Sequence, residues 1–313
     1  MSDRTFDLPA EVRNKLVYIG ADGARWLEQL PLFVWNLERE WNISVGTVLD
    51  GGSEALVAHA TTADGSRAII KIGVPGPTGF EQEARALELA DGRGYVKLLR
   101  HDAARRVMLQ EELGTPLAQL GLPIREQIEV ICTTMRQAWI AVPDDLPLSN
   151  GSEKARFLAD LIATAWEELG RPCSERTVEC ALTFADARDR AYEAATSVLV
   201  HGDAHSQNTL IKLGADPADF SAYRFVDPDG VRAEPALDLA VPMRSWSEEL
   251  LAGDALALAR ARCEFISDLT GIAAEPIWQW GFMERMSTGL YLMQLGWRDE
   301  GLGMLKVADA LAA

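Results

Sequence analysis

The stretch that most constrains this chain is Val200-His201-Gly202-Asp203-Ala204-His205-Ser206-Gln207-Asn208, preceded by the run Ser197-Val198-Leu199-Val200 and followed by Thr209-Leu210-Ile211. Two short runs rich in branched apolar residues around a polar segment read as strand, loop, strand. A loop anchored at both ends by buried strands fixes its Asp and Asn in place with their polar ends available, which suits chemistry better than packing. A second carboxylate follows in the same manner: Tyr223-Arg224-Phe225-Val226 reads as a short strand with Asp227 at its end, and Glu234-Pro235-Ala236-Leu237-Asp238-Leu239-Ala240 comes next. Alone, Asp203 would be a turn-forming residue, since Gly-Asp pairs are common in loops. Its intervals to Asn208, Asp227 and Asp238 argue for more.

An Asp followed five residues later by an Asn is the pattern of a kinase catalytic loop. There the Asp accepts the proton of the attacking hydroxyl, the Asn holds Mg²⁺, and a further metal-binding Asp follows a strand. Taken together, His201-Gly202-Asp203, Asn208, Asp227 and Pro235-Ala236-Leu237-Asp238-Leu239-Ala240 resemble the aminoglycoside phosphotransferase family, and Val226-Asp227-Pro228 is similar to its streptomycin and hydroxyurea phosphotransferase branch. The resemblance runs from about residue 45 to the C-terminus. It implies an α+β, bilobal protein-kinase-like fold: a nucleotide-binding antiparallel sheet over 43–112 and a mainly helical C-lobe over 113–313 with the catalytic loop and acceptor site, while residues 1–42 read as an N-terminal helical cap. It also implies an ATP-dependent O-phosphotransferase, with GTP as the alternative donor and Mg²⁺ as cofactor. Asp203 would accept or orient the hydroxyl proton, and Asn208 and Asp227 would bind the metal. His201 is expected to be a structural hydrogen-bonding residue, and Asp238 to bond the loop backbone. For His205, a position often histidine in the family, an orienting and a packing role are both open. Ser206 and Gln207 stand where the family frequently has Pro-Gly.

Upstream, residues 9 to 20 and 22 to 41 carry helical apolar spacing interrupted by Gly20, Gly23 and Pro31. From Ile43 the period shifts towards two: Ile43 to Leu49, Ala55 to Thr61 and Arg67 to Ile72 read as three strands of a small antiparallel sheet. Lys71 lies inside the buried run Ala68-Ile69-Ile70-Lys71-Ile72, where an ammonium is costly unless paired. Without other motifs it would be an edge-strand lysine. The resemblance makes it a clamp on the α- and β-phosphates, held by Glu83 of Phe80-Glu81-Gln82-Glu83, with Glu81 as the competing partner. Gly51, Gly52 and Ser53 stand where a kinase folds its first hairpin over the phosphates, although a Gly-Gly pair also makes an ordinary hairpin turn. Arg106 to Gln110 reads as a strand leading to Glu111-Glu112-Leu113-Gly114, the hinge, where main-chain groups of about Glu111 to Leu113 would bond adenine.

Helical periodicity dominates afterwards: Phe157, Leu158, Leu161, Ile162, Ala165, Trp166 and Leu169 mark one face, Val178, Leu182, Ala185 and Tyr192 another, and Ile277 to Leu295 a long helix. Ser152 is a candidate N-cap. Gly202 replaces the Arg with which protein kinases pair a phosphorylated activation segment, and only ten residues separate Asp227 from Asp238, so a protein substrate is disfavoured.

A length of 313 residues suits two lobes, and 48% apolar with 25% charged residues is the mix of an ordinary globular protein. The formal charge of -17 repels phosphate backbones and anionic lipid, which disfavours nucleic acid and membrane as partners and fits attraction of a cationic small-molecule acceptor as well as simple solubility. Candidate acceptor ligands are Asp229, Glu284 and His205, with Glu234, Glu248 and Glu249 as further acids nearby in sequence. Cys132, Cys173, Cys180 and Cys263 lack the spacing of a zinc or redox site and read as small buried apolar residues. A polar N-terminus with no apolar run of 18 residues suggests a cytoplasmic protein. Other readings are a metabolic kinase acting on a ketosamine, sugar or amino alcohol, a nucleotide-binding pseudokinase, and a zinc hydrolase built on His201 and His205.

Overall fold

A computed structural model describes residues 5–50, 52, 54–76 and 79–313. The chain divides into two compact units: Met1–Gly114 with Lys212–Gly214, and Thr115–Ile211 with Ala215–Ala313.

The first unit runs α1 (Ala10–Ile19), α2 (Ala21–Trp41), β1 (Ile43–Val48), β2 (Ala55–Thr62), β3 (Arg67–Gly73), α3 (Phe80–Ala90), β4 (Leu98–Asp102) and β5 (Val107–Glu111). Its strands form one antiparallel sheet in the order β1-β2-β3-β5-β4. The period-two segments behave as their pattern requires: Leu56, Ala58 and Ala60 of β2 and Ala68, Ile70 and Ile72 of β3 face one core. The two N-terminal helices contribute Val12, Leu16, Leu30, Val34 and Leu37 to that same core, so they are built into the sheet's hydrophobic layer and do not stand apart as a cap. Helix α2 continues through both Gly23 and Pro31, where breaks were expected. Gly23 is a contact residue, because a Cβ there would lie 2.2 Å from the Leu16 carbonyl oxygen; its lack of side chain lets α1 and α2 meet. Strand β4 was not anticipated. Its Lys97-Leu98-Leu99-Arg100-His101 neighbourhood does not alternate, and the register slips between Leu98 and Arg100, so a bulge removes the period-two signal.

The second unit runs α4 (Ile124–Ala138), α5 (Gly151–Glu168), α6 (Glu175–Ala191), β6 (Val198–Val200), β7 (Thr209–Ile211), β8 (Tyr223–Phe225), β9 (Val231–Ala233), α7 (Ala236–Arg244), α8 (Ser247–Leu251), α9 (Ala255–Thr270), α10 (Ala274–Gln294) and α11 (Arg298–Ala312). Helix α10 is apolar nearly all round, with Trp280, Phe282, Met283, Met286 and Leu290 buried, and so takes the central position that such a helix requires. One core joins it to Ile162 and Trp166 of α5, Val178 and Ala181 of α6, and Leu305 and Ala308 of α11. The N-cap of α5 is Asn150, not Ser152: its side chain accepts from the Glu153 N–H at 3.0 Å while Glu153 accepts from the Asn150 N–H at 3.0 Å, a reciprocal capping box. All four cysteines are unpaired thiols, three of them buried. Among the described residues no helix is long and apolar enough to cross a membrane.

Candidate active site

Four three-residue strands set the geometry of the loop that dominates the sequence. β6 pairs antiparallel with β9, Val200 opposite Val231, and β7 pairs antiparallel with β8, Thr209 opposite Phe225. The segment 201–208 joins β6 to β7 and the segment 226–230 joins β8 to β9, so the two pairings lay the loops side by side. Hydrogen bonds seal them: the Asp229 N–H donates to the His201 carbonyl at 2.8 Å, and the Val226 N–H to the Asn208 carbonyl at 3.0 Å. Asn208 and Asp227 are thereby held at neighbouring strand ends. Gly202 has φ 88°, and a Cβ there would come within 2.8 Å of the Asp229 side chain; only glycine satisfies both conditions. Asp227 itself sits in the left-handed region at φ 56°, a conformation costing a non-glycine residue on the order of 1 kcal/mol and typical of functional positions.

Beneath the loop, the fully buried Asp238 accepts from the N–H groups of His201 (3.1 Å) and Gly202 (2.9 Å) and from Trp139 Nε1–H (2.9 Å). The expected bond to the loop backbone is present. Burial nonetheless pushes its carboxyl above the ordinary range, against the opposing pull of His201 and these donors. His201 is also fully buried. Its Nδ1 accepts from the Asp203 N–H at 3.1 Å, so Nε2 carries the proton and donates to the Val226 carbonyl at 2.8 Å. Burial holds its pKa below the usual value. With both nitrogens engaged in positioning the loops, the ring is neither a base nor a zinc ligand.

Asp203 is half-buried, and its carboxylate contacts two side chains. His205 Nε2 lies 3.4 Å from Oδ2, while its Nδ1 accepts from the Gln207 N–H at 3.2 Å, so its ring is aimed at Asp203. Arg244, the last residue of α7, bonds Oδ1. Burial would raise the pKa of Asp203, but the His205 hydrogen bond and the Arg244 guanidinium outweigh it and hold the carboxyl far below its ordinary value. The other nitrogen of the same guanidinium donates to Glu284 Oε2 at 2.8 Å. Lys154 Nζ stands 3.4 Å from Glu284 Oε1 and 3.8 Å from Asp229 Oδ2. Burial acts to lower the Lys154 pKa, yet Glu284 and Asp229 together hold it raised.

Glu284, expected to face an acceptor, is therefore a correction: it is 3% exposed and ion-paired with Arg244 and Lys154, because a carboxylate this deep requires cationic partners. Glu234 pairs with Arg188 at 3.2 Å and accepts from Trp280 Nε1–H, and Glu249 pairs with Arg262. Asp229 keeps half of its side chain exposed. Arg244 and Lys154 were not singled out from the sequence. A faint signal existed for Lys154, the single lysine between residues 113 and 211; for Arg244 there was its place at the end of the helix that carries Asp238.

In the first unit, Lys71 Nζ bonds both carboxylate oxygens of Glu83, at 2.8 and 2.7 Å, and both side chains are largely buried. Glu81, the competing candidate, faces solvent and lies 3.6 Å from Arg85. Gly52 is exposed with φ 75°; Gly51 and Ser53 lie outside the described residues. At the end of β5, the Glu111 N–H donates to the Lys97 carbonyl at 2.9 Å and its carboxylate accepts from the Lys97 N–H. That N–H belongs to the sheet, which leaves Leu113, beyond the strand's end, as the better adenine candidate of the two.

The family described as aminoglycoside/hydroxyurea antibiotic resistance kinase matches residues 40–290. The chain belongs to this family. It is 22% identical over 281 residues to streptomycin 6-kinase of Streptomyces glaucescens, covering 88% of this chain and 87% of that protein. It is 28% identical over 242 residues to hydroxyurea phosphotransferase of Kitasatospora aureofaciens, covering 74% and 66%. The fold is similar to that of the choline kinase LicA of Streptococcus pneumoniae, with a TM-score of 0.60 at 15% identity over 91% of this chain and 99% of that one, and a complex of that protein with AMP matches as well. The chain is thus an O-phosphotransferase with a protein-kinase-like fold, acting on a small molecule.

Kinases of this fold use Mg²⁺, and the donor chemistry of the loops fits it. Asn208 Nδ2–H donates to the Asp203 carbonyl at 3.2 Å, so the amide presents its oxygen, and Asp227 adds a carboxylate at the adjacent strand end; both are the hard oxygen ligands Mg²⁺ prefers. Among the described residues no group of three or more His, Cys, Asp or Glu could hold a metal unaided. A two-ligand set suits an ion that arrives with nucleotide phosphates.

Proposed function

We propose that this protein transfers the γ-phosphoryl group of ATP to a hydroxyl of a small polyhydroxylated acceptor of the streptomycin type. The observation that carries the reading is the anionic Asp203 carboxylate, fixed on a loop whose other end holds Asn208 beside Asp227. The family match and the streptomycin 6-kinase relatives support the acceptor class. In the reaction the hydroxyl oxygen bonds to the γ-phosphorus, the bond from that phosphorus to the oxygen bridging to the β-phosphate breaks, the hydroxyl proton passes to Asp203, and ADP leaves. A carboxylate held this far below the usual range is a weak base, which suits a loose transition state in which the proton moves late and orientation counts for more than basicity. Asn208 and Asp227 would hold Mg²⁺, which supplies neutralisation of the β- and γ-phosphate charge. Lys71, kept in place by Glu83, would clamp the α- and β-phosphates, main-chain groups near Leu113 would bond adenine, and the Gly51-Gly52-Ser53 turn would cover the phosphates. Asp229 and His205 would border the acceptor. Use of a nucleotide donor supports a cytoplasmic setting for the reaction.

One observation favours a second reading, a metabolic kinase for a ketosamine, sugar or amino alcohol. The acids expected to attract a cation are largely matched by the internal cations Lys154, Arg188, Arg244 and Arg262, so electrostatics alone does not demand a cationic acceptor. A coupled ADP-release screen over streptomycin-like, ketosamine and amino-alcohol acceptors decides between them. Turnover greatest with the streptomycin type, abolished in Asp203→Asn, is the expected result; a neutral alcohol as best substrate would overturn the acceptor class.

A further inference from the structure

The bridge from Asp203 to Glu284 is not part of the chemistry above, yet it controls the orientation of the group that performs it. We infer that Arg244 is a positioning residue for the transfer step: held at one end by Glu284, it fixes the Asp203 carboxylate so that the remaining lone pairs of that carboxylate face the incoming hydroxyl. The inference rests on the phosphotransfer reading of Asp203.

The terminal torsion of an Asp side chain is broad and roughly two-fold, so a loop carboxylate needs donors on its oxygens to hold one orientation. Asp203 has one on each: Arg244 on Oδ1 and His205 Nε2, 3.4 Å away, on Oδ2. The former is a charge-assisted bond. Arg244 is itself immobilised from both directions. Its Nη1 donates to Glu284 Oε2 at 2.8 Å, and Glu284 is further held by Lys154. Its backbone ends α7, whose last carbonyls are capped by two other buried arginines. Arg285 donates to the Met243 carbonyl at 2.7 Å and to Ser247 Oγ at 2.7 Å, and Arg262 donates to the Ser245 carbonyl at 2.7 Å. Cations and donors at a helix C-terminus satisfy its orphan carbonyls and its dipole. Just beyond, Trp246 turns the chain through the left-handed region at φ 53°. Gly281 completes the alignment: a Cβ there would lie 2.6 Å from Met243 Cβ, so only glycine lets α10 come close enough to α7 for Glu284, three residues on, to meet Arg244.

A buried ion network is weak evidence for stability as such, since apolar replacements often serve as well. What this one provides is a planar fork joining two carboxylates on different elements, which lysine cannot reproduce. That difference gives the test. In the purified full chain, Arg244→Lys retains the charge and loses the bridge, so kcat should fall about tenfold or more while KM for ATP and for the acceptor stay within about threefold. Arg244→Ala should fall further, and guanidinium chloride at millimolar concentration should restore its turnover saturably without affecting wild type or Asp203→Asn. Where Arg244→Ala does not fold, Arg244→Lys decides, and Glu284→Gln, which removes the charge from the anchor, should lower kcat about threefold on the same ground. Slow ADP release with water as acceptor should follow the same ranking, so failure to find the right alcohol is separable from failure of the inference. Turnover of Arg244→Lys and Glu284→Gln within twofold of wild type, or a folded Arg244→Ala indifferent to guanidinium, overturns the role of Arg244 alone. Absence of any ATP turnover by wild type overturns the phosphotransfer reading and the inference with it.

Discussion

Lys71 and Asp203 solve the same problem, a charge held out of water, in opposite ways. Lys71 is carried by a strand in the middle of a five-stranded sheet and paired with the Glu83 carboxylate of α3. Asp203 is carried by a loop between three-residue strands and answered by His205 of its own loop and by a set of charges from three other segments: Arg244 at the end of α7 and, through Arg244, Glu284 of α10 and Lys154 of α5. Regular backbone, a strand and a helix, carries both members of this pair. A loop needs buried crosslinks, here Asp238 below and Arg244 beside, to reach the same precision. The first arrangement is local and separable; the second is coupled, and its members should not act additively.

The comparison is broken most decisively at Asp203. Asp203→Asn keeps the shape and the His201 bond to its backbone but removes the proton acceptor, so kcat should drop about 10² to 10⁴-fold. Because Lys71 and Glu83 are untouched, ATP affinity measured by calorimetry should stay near wild type. Comparable losses of both quantities would mean that the two sites are not separable as described.

The converse experiment is on the strand. Lys71→Ala removes a charge partner of the buried Glu83 carboxylate and should cost about 3 to 5 kcal/mol of stability in urea unfolding. Replacing both partners, as in Lys71→Met with Glu83→Leu, should recover most of that stability and leave ATP binding lost. If the double variant were no more stable than Lys71→Ala, loss of the Lys71–Glu83 ion pair would not account for the destabilisation.

How far each region could be read in the sequence follows the same division. The Lys71–Glu83 pairing was accessible because a lysine in a buried strand demands a partner and the following helix offers just two candidates, of which Glu81 turns out to face solvent. Asp203, Asn208, Asp227 and Asp238 were accessible through their intervals along one continuous stretch, and the period-two strands β1 to β3 through alternation. β4 was not, because its bulge erases the period. Arg244, Glu284 and Lys154 meet only through the packing of three helices whose approach depends on contacts such as Gly281 against Met243. Apolar spacing shows which face of a helix is buried; it does not show which polar side chains of two buried faces will meet. For that reason the acids near the end of the chain looked like ligands for a cation from outside, when several already have cations from within.

A sharper comparison lies inside the loop site, between its two metal candidates. Asp227 offers a charged ligand and Asn208 a neutral one, so Asp227→Ala should weaken Mg-dependent nucleotide binding more than Asn208→Ala, each by a smaller free energy than the losses above. Titration of Mg-ATP by calorimetry reads both. Equal affinities in the two variants and wild type would remove the metal from this pair of strand ends.

The smallest effect is expected at Asp229, the acid that retains an exposed half. Its position is set by Gly202, whose missing side chain leaves room for it, and by the bond from its N–H to the His201 carbonyl, so Asp229→Asn should leave the loop intact. Burial raises its carboxyl above the ordinary range against the opposing effect of Lys154, whose Nζ is 3.8 Å from Oδ2. A bond from a cationic acceptor to an unpaired carboxylate would be worth about 1.5 to 3 kcal/mol before desolvation; a carboxylate already facing an ammonium retains only part of that. The acceptor KM in Asp229→Asn should therefore rise about three- to tenfold for a guanidinium- or ammonium-bearing acceptor, with the ATP KM unmoved. Salt should raise the acceptor KM only modestly, because the compensating charges are buried with the site and are poorly screened. Measuring both constants at two ionic strengths checks this. A steep salt dependence would show that the internal cations neutralise the acids less than their distances indicate, and an unchanged KM in Asp229→Asn would take this residue out of the acceptor site and favour an uncharged acceptor held by hydrogen bonds to other groups.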